Sequence, residues 1–248
     1  MTQEVRIAVF RPDDERIESA VDLLDSLGAT PIPDPMLAVE PTGATPASAA
    51  DYTIFTSKTG IELAAEAGWE PGGTILVSIG PGTSAAAEAA GWTVDREPET
   101  YSSAGLVDLL QNEVDGERVE VARSDHGSQE LLEGLDAANA DWSETVLYKL
   151  VRPPESGESA ELAAAGELEA ATFTSSLTVD HFLAAADERG IREDAIAGLD
   201  EAVVGVIGEP TRETAEGHRI DVDIVPDEAT FEALATTVVE AAAPSYSE

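Results

Sequence analysis

The segment Ile79-Gly80-Pro81-Gly82-Thr83 recurs 128 residues later as Ile207-Gly208-Glu209-Pro210-Thr211. Each copy ends a short apolar run that is typical of a buried strand and begins a stretch with helical spacing of apolar residues. The same shift also relates Pro98 to Pro226 and Leu106 to Leu234. A constant shift over several matches indicates two copies of one α/β unit.

Strands and helices alternate in the same way along the rest of the chain. Residues 5–10 (VRIAVF) are apolar and rich in β-branched residues, and apolar positions at helical spacing follow them as far as Gly28. Further strands are predicted at residues 52–55, 119–122 and 171–173. This alternation predicts an α/β fold with two similar domains, each a parallel sheet covered by helices on both faces.

Two proline clusters, at residues 31–35 and 153–154, predict that the chain crosses the domain boundary twice. The segments after the first cluster and before the second read as extended and could pair as a two-stranded β connector. We therefore predict a discontinuous domain of residues 1–34 and 153–248, a second domain of residues 40–146, and connector strands at 35–39 and 147–152. The active site is expected in the cleft between the domains.

The charge of the chain is strongly negative. Fifty acidic residues face thirteen basic ones, which gives a net charge of −37, far beyond the magnitude of about 2 to 8 that keeps a small domain soluble. The acids are spread along the chain, and only two of the cations are lysines. At molar salt the screening length falls to about 3 Å, so the repulsion between these carboxylates is largely removed. We therefore predict a halophilic protein. Nucleic-acid binding is disfavoured, since no basic stripe exists.

Several classes of site find no support in the composition. Cysteine is absent and the three histidines are far apart in sequence, so we expect no metal. The phosphate-binding glycine patterns of nucleotide sites and the G-x-S-x-G elbow of hydrolases are missing, and we expect no cofactor. No apolar run is long enough to span a membrane, and the start lacks the pattern of a secretion signal. We expect a cytoplasmic monomer with no membrane partner.

The two repeated turns are candidate anion sites. Each lies between a strand and a helix, where free amides and the positive helix end attract negative groups. For one copy alone a well-capped helix start is the plainer interpretation, whereas two copies favour a ligand with several negative groups. The candidate residues are Gly80, Thr83, Ser84, Gly208 and Thr211.

Hydroxyl groups follow two of the predicted strands, at the strand ends where open α/β sheets bind ligands. Thr56 and Ser57 follow one strand, and Thr174, Ser175 and Ser176 follow the other. Helix capping alone explains such residues about half the time. They are candidate ligand-binding residues beside the repeated turns.

Three further residues are candidates by position. Arg11 and Arg123 end equivalent strands in a chain poor in cations, and either could bind a substrate or only neutralise the surface. Tyr148 lies in the predicted connector, where it could look into the cleft or simply pack.

The order of motifs resembles the uroporphyrinogen-III synthase family. The segments that carry the resemblance are DYTIFTSKTGIE, SIGPGTSAAAEAAGWTVDREPETYSSAGLVDLL, TVLYKLVRP, ATFTSSLTVDHFL and VIGEPTRETAEG. Each motif is loose, and their order and spacing, with a tyrosine between the halves, are what is specific. Glu209 departs from the small neutral residue expected before the second proline-threonine turn.

The resemblance implies two α/β domains that hold hydroxymethylbilane, a linear tetrapyrrole with eight carboxylates. The reaction would expel the hydroxymethyl oxygen as water, pass through a spiro intermediate and close the macrocycle with the last ring inverted. Tyr148 matches the family tyrosine and would give a proton to the departing hydroxyl. Positioning would supply much of the rate, without a cofactor.

Two other functions fit the same pattern less well. A two-domain α/β protein could bind a small anion without catalysis, although such receptors are usually exported or fused to another module. A salt-adapted sensor domain would need an effector segment, and none is visible in the sequence.

Overall fold

A computed structural model describes residues 5–243. Strands and helices alternate through these residues. In chain order the elements are β1 (Arg6–Phe10), α1 (Glu15–Ser26), β2 (Thr30–Pro33), β3 (Ala38–Pro41), β4 (Tyr52–Phe55), α2 (Lys58–Glu66), β5 (Ile75–Ser78), α3 (Pro81–Ala89), α4 (Ser103–Leu110), β6 (Arg118–Ser124), α5 (Gln129–Ala137), β7 (Asp141–Val151), α6 (Glu158–Ala164), β8 (Ala170–Phe173), α7 (Ser176–Glu188), α8 (Arg192–Asp200), β9 (Val203–Val206), α9 (Glu209–Gly217) and α10 (Phe231–Ala242).

The chain divides into two compact units. Unit 1 consists of the described residues up to Ala38 and from Val151 onward, and unit 2 is Val39–Leu150. One sheet has the strand order β2-β1-β8-β9, and the other has the order β3-β7-β6-β4-β5. The pairs β1–β2, β1–β8, β8–β9, β4–β5, β4–β6 and β6–β7 are all parallel. The predicted α/β class with parallel sheets is confirmed, and the segments predicted as connector strands overlap the neighbouring strands β3 and β7.

Three strands of the sheet in unit 1, β1, β8 and β9, are buried on both faces, and most of their residues are apolar. Along β1, Ala8 and Phe10 pack into one core cluster with Phe173 and Phe182. The alternate residues of β1 pack on the opposite face against α1 and α10. A parallel strand covered on both faces needs this continuous apolar run, and burying each large side chain contributes about 1.5–3 kcal/mol.

Unit 2 is layered in the same way. Ile54 and Val121 pack on one face of its sheet, together with Leu106 of α4. Phe55 packs on the other face, where Trp69 and Trp92 meet it with ring centroids 5.5 and 6.1 Å away.

The 128-residue shift found in the sequence reappears in the hydrogen bonds of the two units. In unit 2 the carboxylate of Asp95 accepts from the amide of Leu76 at 2.8 Å, and in unit 1 Asp223 accepts from Val204 at 2.8 Å. The helix N-caps Ser102 and Thr230 obey the same shift. Both units are therefore built on one plan, down to individual side-chain bonds.

Candidate functional site

In unit 2, β4 leads directly into the first hydroxyl pair, Thr56 and Ser57. The amide of Thr56 extends the sheet by donating to the carbonyl of Ala122 at 3.4 Å. Ser57 is the N-cap of α2, and its Oγ accepts from the amide of Gly60 at 3.0 Å. Capping therefore explains why a serine stands here, and it fixes this hydroxyl at the carboxyl end of the sheet.

Tyr148 reaches the same hydroxyl from β7. The register between β6 and β7 shifts after Arg123, which leaves Leu147 as the extra residue of a bulge. As a result Leu147 and Tyr148 join the same buried cluster although they are adjacent in sequence. Tyr148 is 7% exposed, and its hydroxyl donates a 3.0 Å hydrogen bond to Oγ of Ser57. Two predicted site residues thus meet.

The first repeated turn follows β5, next to β4 in the sheet. Gly80 is the N-cap of α3, with Pro81 in the first helical position. The amides of Thr83 and Ser84 donate to the carbonyl of Gly80 at 3.0 Å each. The side chain of Thr83 is 5% exposed, and within residues 5–243 its hydroxyl has no hydrogen-bond partner.

A carboxylate of the protein itself lies in this turn. The hydroxyl of Ser84 donates to the carboxylate of Glu97 and lies 2.6 Å from the hydroxyl of Ser78. The hydroxyl of Ser78 also lies within 3.4 Å of that carboxylate. A second carboxylate brought by a ligand would meet like charge here.

An aromatic ring packs against the same turn. A methyl group in place of the hydrogen of Gly80 would lie 3.1 to 3.2 Å from ring and Cβ atoms of Tyr101. Tyr101 is nevertheless 61% exposed. One part of the ring therefore lies on the glycine and the rest is open.

Arg123 lies inside unit 2. Its side chain is 3% exposed, and Nε donates to Glu144 of β7 at 2.5 Å. Its Nη1 donates to the carbonyl of Ser128 at 2.5 Å. Space for the guanidinium comes from Gly127, where a methyl group would lie 2.3 Å from Cδ of Arg123. The positive charge of Arg123 is thus already compensated within the protein.

In unit 1 the second hydroxyl group follows β8. Thr174 donates to the carbonyl of Phe10 at 2.8 Å. Ser175 caps α7 through a reciprocal capping box with Thr178. Ser176 donates to the carbonyl of Pro210 at 3.0 Å, so it fastens α7 to the start of α9.

The second repeated turn differs from the first in its surroundings. Gly208 is the N-cap of α9, and a methyl group added there would meet nothing within 4 Å. Thr211 is 3% exposed, and its hydroxyl has no hydrogen-bond partner in the described part of the chain. The carboxylate of Glu209 lies 3.8 Å from the guanidinium of Arg212. Arg212 stands where the first turn carries Ser84, and its Nε also donates to Glu216 at 2.7 Å, so its charge is compensated within the protein.

Arg11 follows β1 and is held in an unusual way. Its guanidinium carbon lies 5.0 Å from the ring centroid of Phe231. Nε is buried and, within residues 5–243, has no hydrogen-bond partner. Burial, and after it the charge of Arg16, lowers the pKa of Arg11 below its ordinary value, while Asp14 acts in the opposite direction.

The isolation of Arg11 is specific to this residue. In the described structure, the other ten arginines all lie in ion pairs with carboxylates. Arg11 forms none there, although the chain has fifty acidic residues. A half-buried guanidinium kept apart from so many carboxylates is suited to an anion from outside.

Neither a metal cluster nor a membrane span occurs in the described part of the chain. No group of three or more histidine, cysteine or acidic side chains is arranged to hold a metal ion there. None of the helices in residues 5–243 has the length and apolar character needed to cross a membrane.

A family model described as "Uroporphyrinogen-III synthase HemD" matches residues 18–236. The chain belongs to the uroporphyrinogen-III synthase family. The family consists of cyclising lyases, and this member is accordingly an enzyme of that class. The resemblance inferred from the order of the motifs is confirmed.

Individual relatives agree with the family match. A protein of Methanothermobacter thermautotrophicus named "Putative uroporphyrinogen-III synthase" is 30% identical over 230 residues, which cover 86% of this chain and 90% of the relative. The crystal structure of a mutant uroporphyrinogen III synthase from Thermus thermophilus has a TM-score of 0.65 at 17% identity, over 96% of this chain and 98% of that one. The uroporphyrinogen-III synthetase of Helicobacter pylori gives 0.62 at 11% identity, over 96% and 100%. These two structures share the fold.

Sequence reasoning did not select Tyr101 or Glu97 as site residues. Both lie in the segment quoted for the resemblance, immediately before α4. The shift of 128 residues relates Pro98 and Leu106 of this segment to the second copy, but it gives no signal for Tyr101 or Glu97. Neither residue has a counterpart of the same type 128 positions later, where Ala229 and Val225 stand.

Proposed function

We propose that this enzyme converts hydroxymethylbilane to uroporphyrinogen III, with inversion of the last ring and loss of water. The observation that carries the proposal is the match to the synthase family over residues 18–236. The bond between Tyr148 and Ser57 adds a proton donor at the carboxyl end of a sheet. The non-catalytic anion receptor has no observation in its favour.

Binding is proposed to combine one strong cation with helix ends and hydroxyls. The substrate carries eight carboxylates, and Arg11 is the arginine that has no internal carboxylate in the described structure. The turn at Gly208 and Thr211 offers a helix N-terminus with a hydroxyl that has no partner in the described structure. We assign substrate carboxylates to these groups of unit 1.

The remaining predicted residues are proposed to contact the substrate in weaker ways. Thr56, Ser57, Gly80, Thr83, Ser84, Ser175 and Ser176 supply hydroxyls and amides at strand ends. For Arg123, which donates hydrogen bonds to Glu144 and Ser128, we propose a role in supporting β7. The proposal therefore depends on Arg11 and not on Arg123.

Tyr148 is proposed as the acid for the first step. Its phenol would protonate the hydroxyl of the hydroxymethyl group. The C–O bond then breaks, water departs and an azafulvene is formed. The substituted carbon of the last pyrrole attacks that carbon to give a spiro intermediate, which fragments and closes with this ring reversed. The final loss of a ring-carbon proton would restore the phenol, so the sum is loss of one water.

Much of the rate is proposed to come from holding the bilane in a folded conformer, because electron-rich pyrroles expel the hydroxyl readily without help. No cofactor or metal enters this scheme. We further propose that the enzyme works as a monomer in the cytoplasm. We also propose that it binds no nucleic acid, because its charge of −37 would repel phosphates.

The test is the ratio of uroporphyrinogen isomers formed from enzymatically generated hydroxymethylbilane at high salt. The type III isomer should predominate, at a rate that EDTA leaves unchanged. Formation of the type I isomer alone, which arises spontaneously, would refute the proposed function.

A further inference from the structure

The exposed ring of Tyr101 has no role in the scheme above. Most exposed side chains of this protein are charged or small, and Tyr101 is the most exposed of the large hydrophobic residues in the described part, at 61%. Its hydroxyl has no hydrogen-bond partner there. The exposed part of the ring is a planar apolar surface on which another ring can pack.

The backbone around Tyr101 is tightly fixed. The amide of Ser102 donates to the carbonyl of Thr100 at 2.8 Å, and Ser102 then caps α4 by accepting from Gly105 at 3.0 Å. A methyl group at Gly105 would lie 1.9 Å from the carbonyl oxygen of Thr100. The ring also lies against Gly80, whose extended backbone any residue could adopt. This glycine therefore provides space for the ring.

Tyr101 also lies in line with the proposed acid. Tyr148 on β7 bonds to Ser57 at the end of β4, and Gly80 follows the next strand, β5. The phenol, the hydroxyl and the Tyr101 ring thus occur in that order along the carboxyl end of one sheet, all within unit 2.

We propose that the open face of Tyr101 stacks on one pyrrole ring of the bilane, an inference that rests on the proposed function. Local charge decides which part of the substrate fits. Glu97 occupies the adjoining turn, so an acidic arm of the substrate would be repelled there. A pyrrole is uncharged, and its N–H can donate a hydrogen bond to a carboxylate. Aromatic pairs in offset or edge-to-face contact gain free energy beyond the area they bury.

The other copy of the repeat supports this division between the units. At the position equivalent to Tyr101 stands Ala229, and the turn at Gly208 is uncovered. Unit 1 supplies Arg11 instead, which forms no ion pair in the described structure. Acidic arms are thus assigned to unit 1 and one ring of the tetrapyrrole to unit 2.

The experiment compares Tyr101→Leu, Tyr101→Phe and the wild type with hydroxymethylbilane at high salt. The leucine should raise KM by about threefold to tenfold, since stacking holds ground state and transition state alike and kcat should change little. The phenylalanine keeps the ring and should restore KM to within about twofold of the wild type. Leu27→Ala, at an exposed hydrophobic residue of unit 1, should have no effect.

Three results would decide against stacking or against the scheme beneath it. An unchanged KM for Tyr101→Leu refutes the stacking. An equal loss in the leucine and phenylalanine variants refutes it too, because the hydroxyl would then be the important group. If the wild type forms only the type I isomer, the proposed function fails, and the assignment of Tyr101 fails with it. Thermal unfolding of both variants should match the wild type, which verifies that the fold is intact.

Discussion

The phenol of Tyr148 donates a hydrogen bond of 3.0 Å to the hydroxyl of Ser57, which also accepts one from the amide of Gly60. The hydroxyl of Ser57 therefore accepts two hydrogen bonds and can still donate one. In the proposed mechanism, the substrate hydroxyl replaces Ser57 as the acceptor, and the proton of Tyr148 passes to the leaving group. Ser57 thus holds the phenol in one orientation before the substrate arrives.

Tyr148→Phe should lower kcat by about tenfold to a thousandfold, because it removes one proton donor and almost no volume. The loss should stay below complete inactivation, since the pyrrole itself drives departure of the hydroxyl. The readout is kcat and KM for formation of the type III isomer. Tyr52→Phe is the matched control, because Tyr52 is also buried in unit 2 and lies on the opposite face. An unchanged kcat for the Tyr148 variant would reduce Tyr148 to a packing residue.

Arg11→Gln should raise KM by about tenfold to a hundredfold, because a charge-assisted hydrogen bond to a carboxylate contributes about 1.5–3 kcal/mol. Arg219→Gln is the control, since Arg219 is exposed and already paired with Glu193. Steady-state kinetics at one salt concentration would compare the two variants. Equal KM values for both would show that Arg11 does not contact the substrate.

Thr211→Ala and Thr83→Ala should both raise KM more than they lower kcat, if these hydroxyls bind carboxylates equally in ground and transition states. The effect should be larger at Thr211, because Glu97 lies on the hydroxyls of the turn at Thr83, whereas Glu209 in the turn at Thr211 is paired with Arg212. We expect about threefold to tenfold for Thr211 and a smaller change for Thr83. A larger effect at Thr83 would contradict the assignment of acidic arms to unit 1.

Folding should depend on salt, because a charge of −37 is tolerable only when it is screened. Circular dichroism in a KCl series from ~0.05 M to ~2 M should show the structure forming as salt rises. Stability that is the same at both ends of the series would contradict halophilic adaptation. The ion pair of Arg118 and Asp51, which lowers the pKa of Asp51 to about 2, should contribute little at the high end because both groups are exposed.

The repeat was the part of the fold that the sequence made plain. Its shift of 128 residues could be read because strand ends and helix starts demand particular residues, such as glycine and threonine. Asp95 and Asp223 keep the same shift and hold equivalent strands, yet a loop aspartate in so acidic a chain gives no such signal. Their role depends on an amide in another strand.

The sequence pattern could not predict that Arg123 is paired inside the protein whereas Arg11 is not. Both end equivalent strands, but Glu144 lies 21 residues beyond Arg123 and reaches it only because β7 pairs with β6. Arg11 instead faces Phe231, 220 positions away in the sequence. Tyr101 was missed because one exposed aromatic residue in a loop has no periodicity.

Strand β1 lies between β2 and β8, with Phe10 opposite Phe173. A ribosome that adds about 5–20 residues per second makes β8 roughly 8 to 33 seconds after β1. All of unit 2 is synthesised within that interval. It is therefore the first unit whose strands and helices have all been made. During this time the edge of β1 that will pair with β8, with its apolar Ile-Ala-Val-Phe run, has no strand beside it. The nascent chain is therefore most exposed to aggregation while the second half of unit 1 is still being translated.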